Sequence, residues 1–478
     1  MKRECSRNYT VLHALLVVIV LFFDWVIFFP ANMSPDSLWQ YEQALNQNYS
    51  DFHPPIMSLI LTFVMRLGGG IGILMLLQCL LGGFGVYYLA RCILEQSGIE
   101  KRTASWFALS TFVILISPIS PLAVYLMTFW KDAWCAIFFL YFFLIAIVLY
   151  SKARNLSLPL FGCLYSVFIL VAIAILLTRH NAVAILPSCI AVSWVILYYG
   201  RRVSLLTACL ISLILVFAYI GAQRSQYILF PIHKSHPETM IMTTDLVGIL
   251  LEKPRLRDQF PYTSQNLTDD YATVYEYGMT KLSFDYSQAM INEYKKAIEK
   301  FPFVWLNVKF RAFYELMKNC DRPTYYWSYV TNGKIGHAYL VSAIGIVGNQ
   351  FGLKQNTVFH SFRTGYKAAL DYVEENAVLR SFSNFHLIWI ALDLCGVFYT
   401  FFLYLKYREN YFIFWMLLLS TLLSYYSSYI VATAGWDFRY MYPSTLSLQV
   451  ITLSFVFATI YKFRRRSNSL EHIVFENC

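Results

Sequence analysis

Charged residues are scarce in this sequence. Only 14% of its 478 residues are Asp, Glu, Lys or Arg, whereas 58% are hydrophobic. A soluble domain of this length cannot hide so much apolar surface, because too few polar side chains remain to cover it. The composition therefore excludes a soluble protein and predicts an integral membrane protein. Aromatic residues make up 18%, and such rings collect at the two membrane interfaces, which favours many crossings over one.

Cysteine motifs and internal repeats are also lacking. The ten cysteines show no CxxC or metal-ligand spacing and lie mostly within apolar runs, with only Cys320 in the large polar segment described below. In apolar runs they act as small apolar side chains, so we do not expect a disulfide framework. No repeat relates one half of the chain to the other, which argues against a transporter built from two similar halves.

Apolar runs of about 20 residues, the length that a helix needs to cross a bilayer, recur along the chain. Backbone polar groups in lipid must be satisfied internally, so we predict that these runs are helices. The first run has no small-residue cleavage site after it, and we interpret it as a retained span rather than a removed signal peptide. The predicted spans are 10–30, 71–94, 104–122, 132–150, 157–177, 181–199, 203–222, 384–405, 410–431 and 441–461.

The net charge of +10 is distributed in clusters between these spans. With ten spans, every cluster lies on one side, which the positive-inside rule assigns to the cytoplasm together with both termini. A nucleic-acid-binding patch is not favoured, because it needs one contiguous basic surface. The clusters are Lys2 with Arg3 and Arg7; Arg91 with Lys101 and Arg102; Lys152 with Arg154; Arg201 with Arg202; Lys406 with Arg408; and Lys462 with Arg464, Arg465 and Arg466.

Three regions follow from this pattern. Residues 1–222 form an N-terminal transmembrane module, and residues 384–478 form the last spans and a basic cytoplasmic tail. Between them, residues 223–383 are rich in polar side chains and in Pro, Asn and Asp, and they are predicted to be a mostly α-helical external domain. The predicted fold class is an all-α polytopic membrane protein of about ten transmembrane helices, with this domain inserted after the seventh.

Two further apolar stretches are too short to span a bilayer. Residues 55–67, which follow the first external loop at 31–54, are predicted to form an interfacial helix along the membrane surface. Residues 335–351 are apolar and rich in glycine, and they are predicted to form a re-entrant or interfacial element.

Polar groups of mixed type gather on the outer side of this topology, whereas the inner side carries mainly Lys and Arg. This one-sided distribution predicts a functional site at the outer face. The outer clusters are Asp36 to His53, Trp130-Lys131-Asp132, Thr178-Arg179-His180-Asn181, the external domain, and Trp436-Asp437-Phe438-Arg439-Tyr440.

Asp36 has two compatible interpretations. A carboxylate near the outer end of the first span can act as a general base toward a hydroxyl nucleophile. Ser34-Pro35-Asp36 also has the pattern of a helix N-cap, with proline in the first turn and an acid near the positive end of the helix dipole. An acid can start a helix and still face a binding site.

The neighbouring outer clusters each carry a structural and a functional interpretation. Asp51 and His53 can bind a metal or a sugar hydroxyl, or they can cap the interfacial helix that Pro54-Pro55 begins, and the structural role is favoured. Lys131 and Asp132 form either a ligand-facing pair or an interfacial anchor with a weakly stabilising surface ion pair.

Arginines border two of the later spans. Arg179 with His180, and Asp437 with Arg439, are either interface anchors or groups that hold a phosphate through charge-assisted hydrogen bonds. A lipid-linked phosphate would lie at this depth. Four ionisable residues within or at the ends of spans are expected to face other helices and are assigned no role: His13, Asp24, His386 and Asp393.

Six short motifs occur in order along the chain. They are SPDS after the first span, HPP before the interfacial helix, YYLARCIL at a basic inner loop, and WKD, TRHN and DFRYMYP at the outer face. This layout resembles the GT-C superfold of polytopic glycosyltransferases that use polyprenyl-phosphate-linked sugars, including bacterial mannosyltransferase-like members. The resemblance covers most of the chain in layout, while the motifs themselves are short.

The resemblance implies an inverting glycosyltransferase that uses a polyprenyl-phosphate sugar donor bound from the membrane. The acceptor would be a glycan, lipid or protein at the outer face of the cell membrane, as in cell-envelope glycan assembly. It implies that Asp36 is the catalytic base, and that Arg179, His180 and Arg439 stabilise the phosphate as it gains charge in the transition state. The remaining predicted substrate-binding residues are Asp51, His53, Lys131, Asp132 and Asp437.

The sequence departs from the family pattern in two respects. Some members carry a DxD or Asp-Glu pair in the first loop, but here Asp36 is followed by Ser37, and the next acid is Glu42. This leaves Asp36 as the one strong candidate for the base and leaves a divalent metal open as a cofactor, with no ligand set assigned. The external domain is also inserted after the seventh span instead of lying at the C-terminus.

Two other classes of protein fit the composition. A lipid or polysaccharide transporter or flippase also needs many spans, but its ligand groups lie near the bilayer midplane. A non-catalytic assembly or receptor protein would bind a partner through the external domain alone. The enzyme interpretation requires that Asp36, Asp132, Arg179 and Arg439 line one outward cavity open to the lipid. It loses its main support if they lie more than about 15 Å apart, since hydrogen bonds reach only a few ångströms.

Overall fold

A computed structural model describes residues 2–117, 119–267, 269–277, 281–318, 358–435 and 438–476. Helices dominate these residues, which confirms the predicted all-α class. The predicted re-entrant element at 335–351 and Cys320 lie outside the described residues.

The helices are numbered here in chain order. They are α1 Lys2–Phe28, α2 Pro35–Asn46, α3 Ile56–Arg66, α4 Ile71–Gln96, α5 Lys101–Ile116, α6 Leu122–Met127, α7 Lys131–Lys152, α8 Leu158–Thr178, α9 Leu186–Val195, α10 Leu205–Leu229, α11 Glu238–Glu252, α12 Pro261–Asn266, α13 Tyr271–Tyr277, α14 Gln288–Lys300, α15 Pro302–Lys318, α16 His360–Glu375, α17 Ala377–Asn384, α18 His386–Tyr407, α19 Asn410–Ala432 and α20 Tyr442–Glu476. Short 3₁₀ turns occur at His180–Ile185, Pro254–Gln259, Lys281–Phe284 and Phe438–Tyr440, and a π-helical turn at Ile196–Arg201.

Within the described residues, nine helices are long and apolar enough to cross a membrane. Eight of them lie in α1, α4, α7, α8, α10, α18, α19 and α20. The ninth is the continuous helical stretch His180–Arg201, which contains α9. The chain is therefore a multi-pass membrane protein. The apolar helix predicted at 55–67 is present as α3.

The span predicted at 104–122 is wrong as a single long helix. Helix α5 ends at Ile116, and the short helix α6 follows from Leu122. At 1.5 Å per residue the 16 residues of α5 extend only about 24 Å. Two prolines, Pro118 and Pro121, lie between α5 and α6, and proline cannot continue a helix without losing a backbone hydrogen bond.

Helices α5 and α6 together return the chain to the end of the bundle where α4 began. The indole of Trp25, near the end of α1, donates a hydrogen bond to the Gly72 carbonyl at the start of α4 (2.7 Å). The Gln78 amide of α4 in turn donates to three carbonyls at the end of α6, those of Tyr125, Leu126 and Thr128 (2.8–3.1 Å). Gln78 thereby satisfies the helix-terminal carbonyls that α6 leaves free inside the bundle.

The basic clusters lie at the other end of the bundle. Arg102, at the start of α5, lies 4.5 Å from the ring centroid of Tyr9 in α1. Arg201 donates to the carbonyls of Ala153 and Leu156, just beyond the end of α7 (2.6 and 2.9 Å). Since α7 has 22 residues, this end lies about 33 Å from its start. The bundle thus has one basic end and one end of mixed polar character.

The region between α10 and α18 has its own apolar core, built mainly on α11, α14 and α15. Inside it, Lys309 Nζ lies 2.8 Å from Asp245 Oδ1, and both side chains are almost fully buried. Tyr294 and Trp305 donate to the other carboxylate oxygen of Asp245 (2.9 and 3.0 Å). Burial of this ion pair is tolerated because hydrogen bonds satisfy its remaining polar atoms.

A buried hydrogen bond and a short strand pair are among the contacts that join this region to the bundle. Lys309 also donates to the Val431 carbonyl at the end of α19 (2.7 Å). A two-residue parallel strand pair, Tyr49–Ser50 with Ile232–His233, connects the segment after α2 to the segment after α10. The predicted domain boundary at 222/223 lies within α10, which continues as one helix to Leu229.

Close packing of α1 against α4 gives a test of this fold. A Cβ atom at Gly83 of α4 would collide with the fully buried side chain of Leu21 in α1, whereas a Cβ at Gly162 of α8 would meet open space. We expect Gly83→Ala to lower stability by about 1–3 kcal/mol relative to Gly162→Ala, because overpacking forces neighbours to shift. Both changes gain the same helix propensity, so the difference in thermal unfolding midpoint in detergent isolates the packing effect; equal midpoints would contradict it.

Candidate functional site

Five separated parts of the chain meet at the mixed polar end of the bundle. They are the start of α2, the segment before α3, the start of α7, the junction after α8 and the 3₁₀ turn before α20. We use the name charge cluster for the six residues that they contribute: Asp36, His53, Lys131, Asp132, Arg179 and Arg439.

The start of α2 confirms the predicted helix cap. Ser34 is the N-cap, and its hydroxyl accepts from the Ser37 backbone N–H (3.3 Å), while the Ser37 hydroxyl accepts from the Ser34 N–H (3.2 Å). Pro35 occupies the first turn, where its missing N–H costs nothing. The cap fixes Asp36 in the first turn of α2, with its side chain 24% exposed.

The same serines anchor α2 to the start of α7. The Trp130 indole donates to the Ser34 hydroxyl (2.8 Å), and the Ser37 hydroxyl donates to the Phe129 carbonyl (2.6 Å). Both bonds are buried, and in a low-dielectric interior such bonds hold their groups firmly. Asp36 is consequently fixed against the N-terminus of α7.

Three basic side chains surround the Asp36 carboxylate. Arg439 Nη2 lies 2.7 Å from Oδ2, His53 Nε2 lies 3.5 Å from Oδ1, and Lys131 Nζ lies 3.9 Å from Oδ2. Lys131 Nζ is also 3.2 Å from His53 Nδ1. An ammonium can only donate, so Nδ1 accepts and the proton of the neutral imidazole is on Nε2, facing Asp36.

The protonation states of Asp36 and His53 follow from these contacts. Burial raises the pKa of Asp36, but Arg439, His53 and Lys131 outweigh it and hold this pKa well below its usual range. Burial and the Lys131 charge lower the pKa of His53 to about 4, against the opposing effect of Asp36. At neutral pH Asp36 is therefore a carboxylate and His53 a neutral imidazole.

A second ion pair lies beside the first. Arg179 forms a salt bridge with Asp132, which is fully buried. The guanidinium groups of Arg179 and Arg439 both lie against the ring of Tyr440, 4.9 and 5.7 Å from its centroid. One aromatic ring therefore links the two ion pairs, which satisfies the proximity that the enzyme interpretation requires.

The charge cluster carries an excess of positive charge. Lys131, Arg179 and Arg439 supply three positive charges against the two carboxylates, and His53 is neutral. These groups are largely withdrawn from water, so the excess charge is poorly screened. An anion of one or two negative charges is the ligand that this field favours.

Aromatic side chains support the arginines, and the sequence interpretation gave them no role of their own. Arg439 lies 5.1 Å from the ring centroid of Trp130, and Arg179 lies 5.7 Å from that of Tyr429. Cation–π contacts of this kind fix the guanidinium planes. Trp130 and Tyr440 directly neighbour basic residues of the outer motifs, a sequence signal for this role, whereas Tyr429 lies inside an apolar span and carries none.

The structure separates Asp51 from His53, which the sequence interpretation had grouped. The Asp51 carboxylate accepts from the Ser235 N–H (2.6 Å) and the Tyr227 hydroxyl (3.1 Å), and the His180 imidazole donates to the Asp51 carbonyl (3.0 Å). Asp51 and His180 thus join the segment after α2 to neighbouring elements, whereas His53 faces Asp36.

The proposed capping role of Asp51 and His53 is wrong. The N-cap of α3 is Pro55, and no side chain hydrogen-bonds to the first turn of this helix. The structural role favoured for Asp51 is therefore one of tethering loops, and His53 belongs to the charge cluster. Asp437 lies outside the described residues, so its predicted role stays a prediction.

A divalent metal does not fit the charge cluster. Among the described residues, no three of His, Cys, Asp and Glu lie close enough together to hold an ion. Lys131 and Arg439, which contact Asp36, would repel a divalent cation at this carboxylate. Metals such as Mg²⁺ require several oxygens around one point, and the described side chains of the charge cluster do not provide them.

The fold and the nine apolar helices among the described residues define the class of this protein: it is an all-α, multi-pass membrane protein with the charge cluster at one end of the helix bundle. Neither a protein-family model, nor a curated protein, nor a solved structure matches the chain.

Removal of one charge from the buried pair tests its electrostatics. Asp132→Asn leaves the Arg179 guanidinium buried without its counter-ion, and we expect a loss of about 3–5 kcal/mol in the free energy of unfolding. The matched control is Glu315→Gln, which removes the same charge from the exposed pair with Lys318 and is expected to cost at most about 1 kcal/mol. Denaturant unfolding in detergent measures both; similar small losses would show that Asp132 does not balance Arg179.

Proposed function

We propose that this protein is an inverting glycosyltransferase that transfers a sugar from a polyprenyl-phosphate donor to an acceptor at the outer face of the cell membrane. The observation that carries the proposal is the charge cluster, in which an ionised carboxylate is held by Arg439 and Lys131 beside a second arginine. A glycan, lipid or protein acceptor is compatible with this role, as in the assembly of cell-envelope glycans.

The donor phosphate is the anion that matches the excess positive charge. Its oxygens can accept charge-assisted hydrogen bonds from Arg439 and Lys131, and guanidinium groups bind phosphate in a bidentate manner. The cluster lies at one end of helices that are long enough to cross a bilayer, which is the depth at which the phosphate of a membrane-bound lipid sits. A soluble donor would not need this placement.

Phosphate binding also makes Asp36 a stronger base. In the free protein Arg439, His53 and Lys131 keep the pKa of Asp36 low, and a weak base takes a proton poorly. When the phosphate engages Arg439 and Lys131, its own negative charge opposes theirs, and the pKa of Asp36 rises toward the range useful for catalysis. The base is thus activated only when the donor is present.

The transfer step then balances as follows. Asp36 accepts the proton of the acceptor hydroxyl, and the hydroxyl oxygen forms a bond to the anomeric carbon. The bond between that carbon and the phosphate oxygen breaks, and its electron pair leaves with the polyprenyl phosphate. Attack from the face opposite the leaving group inverts the anomeric configuration. Arg179 and Arg439 stabilise the charge that develops on the phosphate.

Loss of the base is the first test. We expect Asp36→Asn to lower transfer from a polyprenyl-phosphate sugar in membranes by about 10²–10⁴-fold, the usual contribution of general base catalysis. Glu42→Gln, an exposed position on the same helix, is the matched control and should keep full activity. Full transfer by stably inserted Asp36→Asn protein would eliminate Asp36 as the base.

The pH dependence of transfer is the second test. Arg439 lowers the pKa of Asp36, so Arg439→Gln should raise it, and the carboxylate will then be protonated at a higher pH. We therefore expect the acidic limb of kcat/KM to move to higher pH in Arg439→Gln, as well as weaker donor binding. Arg311→Gln, at an exposed arginine outside the cluster, should leave the profile unchanged. An identical acidic limb in Arg439→Gln would contradict the assignment.

Transport of a lipid or polysaccharide is the second candidate function, and one observation favours it. Asp393 in α18 is fully buried, and neither of its carboxylate oxygens has a hydrogen-bond partner among the described residues. Buried ionisable groups within spans often mark transport pathways. Under this alternative Asp393→Asn would abolish translocation of a labelled polyprenyl-phosphate sugar in proteoliposomes, and Asp36→Asn would not.

A further inference from the structure

Helix α15 carries an apolar stripe on its exposed side. Its members recur at intervals of three, four and four residues, which places them on one face of a helix. They are Phe303, Leu306, Phe310 and Tyr314, whose exposed fractions are 85%, 39%, 53% and 48%. Large apolar patches of this kind are rare on surfaces that face only water.

The opposite face of α15 is already used by the fold. Val308, Ala312 and Leu316, spaced four residues apart, are fully buried. Val308 and Ala312 are part of the apolar core of the 223–383 region. The exposed stripe is therefore an additional apolar face, and core packing does not require it.

The depth of α15 is set by its contact with a membrane-spanning helix. Lys309, between the two faces, donates to the Val431 carbonyl at the C-terminal end of α19 (2.7 Å). The Val431 side chain is itself 62% exposed, as expected for a residue at the lipid-facing surface of a span. Helix α15 also packs against α18 and α19. It consequently lies at the level where these spans leave the bilayer.

Polar residues border the stripe along one edge. Arg311 and Lys318 are exposed and form salt bridges with Glu252 (3.8 Å) and Glu315 (3.1 Å). Asn307 also hydrogen-bonds to the Glu252 carboxylate (2.8 and 3.0 Å). A helix with apolar side chains on one face and charged side chains beside them has the composition of an interfacial helix, whose polar edge faces the lipid headgroups.

We propose that α15 is a membrane-surface helix whose apolar stripe inserts into the phospholipid leaflet at the charge-cluster end of the bundle. Phospholipid is the occupant because Lys309 of the same helix holds α15 beside Val431, which is exposed at the surface of α19, and because charged side chains flank the stripe. The contact seats the 223–383 region on the bilayer. It also fixes, through Lys309, the end of α19 from which the chain continues toward Arg439. This inference does not depend on the proposed enzymatic activity.

Site-specific photo-crosslinking of the full-length protein tests the insertion. Benzoylphenylalanine would be placed at Phe310 in the stripe and, as the matched control, at its neighbour Arg311 on the polar edge. Each protein would be reconstituted into nanodiscs of phosphatidylcholine and phosphatidylglycerol, irradiated, and analysed by mass spectrometry. We expect a several-fold higher yield of phospholipid adduct at Phe310 than at Arg311. A third protein carries the probe at Phe303, the most exposed member of the stripe. It takes the place of the Phe310 protein if that protein does not fold.

Three outcomes would overturn the inference. Equal lipid adducts at Phe310 and Arg311 would show that the stripe has no preferred contact with lipid. Adducts to another peptide of the same chain would show that the protein itself covers the stripe. Crosslinked dimers would assign the stripe to contact between two copies.

Discussion

The ion pair between Asp36 and Arg439 joins two segments that are far apart in the sequence. Asp36 follows the first spanning helix and Arg439 precedes the last, and 2.7 Å separates their charged atoms. A carboxylate and a guanidinium that are mostly withdrawn from water attract each other strongly, and loss of either partner leaves the other poorly solvated. The ion pair therefore holds the first and last spans together at this end of the bundle. Lys131 and Arg179 belong to the same charge cluster.

An anionic ligand would relieve two unfavourable features of the charge cluster. Three positive charges and two carboxylates leave one positive charge in excess, and the base candidate is held in its least basic state. An anionic phosphate would neutralise the excess positive charge. It would also weaken the attraction between the cations and the Asp36 carboxylate. The shared ring of Tyr440 places the second arginine close to the first. The cluster is thus organised for an anion and poorly suited to a metal cation.

The membrane is the common element of both proposals. A lipid-linked phosphate would reach the charge cluster from the bilayer, and the apolar stripe of α15 would rest on the same leaflet. Lys309 links the 223–383 region to the bundle, because it pairs with Asp245 in the core of that region and also donates to the Val431 carbonyl at the end of α19. This region is therefore held to the bundle by a buried polar contact.

The sequence by itself determined the features that depend on neighbouring residues. Among the described residues, hydropathy over about 20 residues predicted eight of the nine long helices closely and the ninth with a displaced end, because lipid requires each span to satisfy its own backbone. Ser34-Pro35-Asp36 predicted the start of α2, since capping is a local interaction. The same logic failed at 104–122, where the mean apolarity is high although α5 ends at Ile116, before a full crossing.

Only the tertiary structure decided which polar residues share a site. Asp51 and His53 are two residues apart, yet one tethers loops and the other faces Asp36, because a change of direction between them points their side chains to different neighbours. The pairing of Asp36 with Arg439, and of Asp132 with Arg179, joins residues from distant connections. Such pairings depend on how the spans pack, and helix packing is set by the shapes of many side chains at once, which no local pattern records.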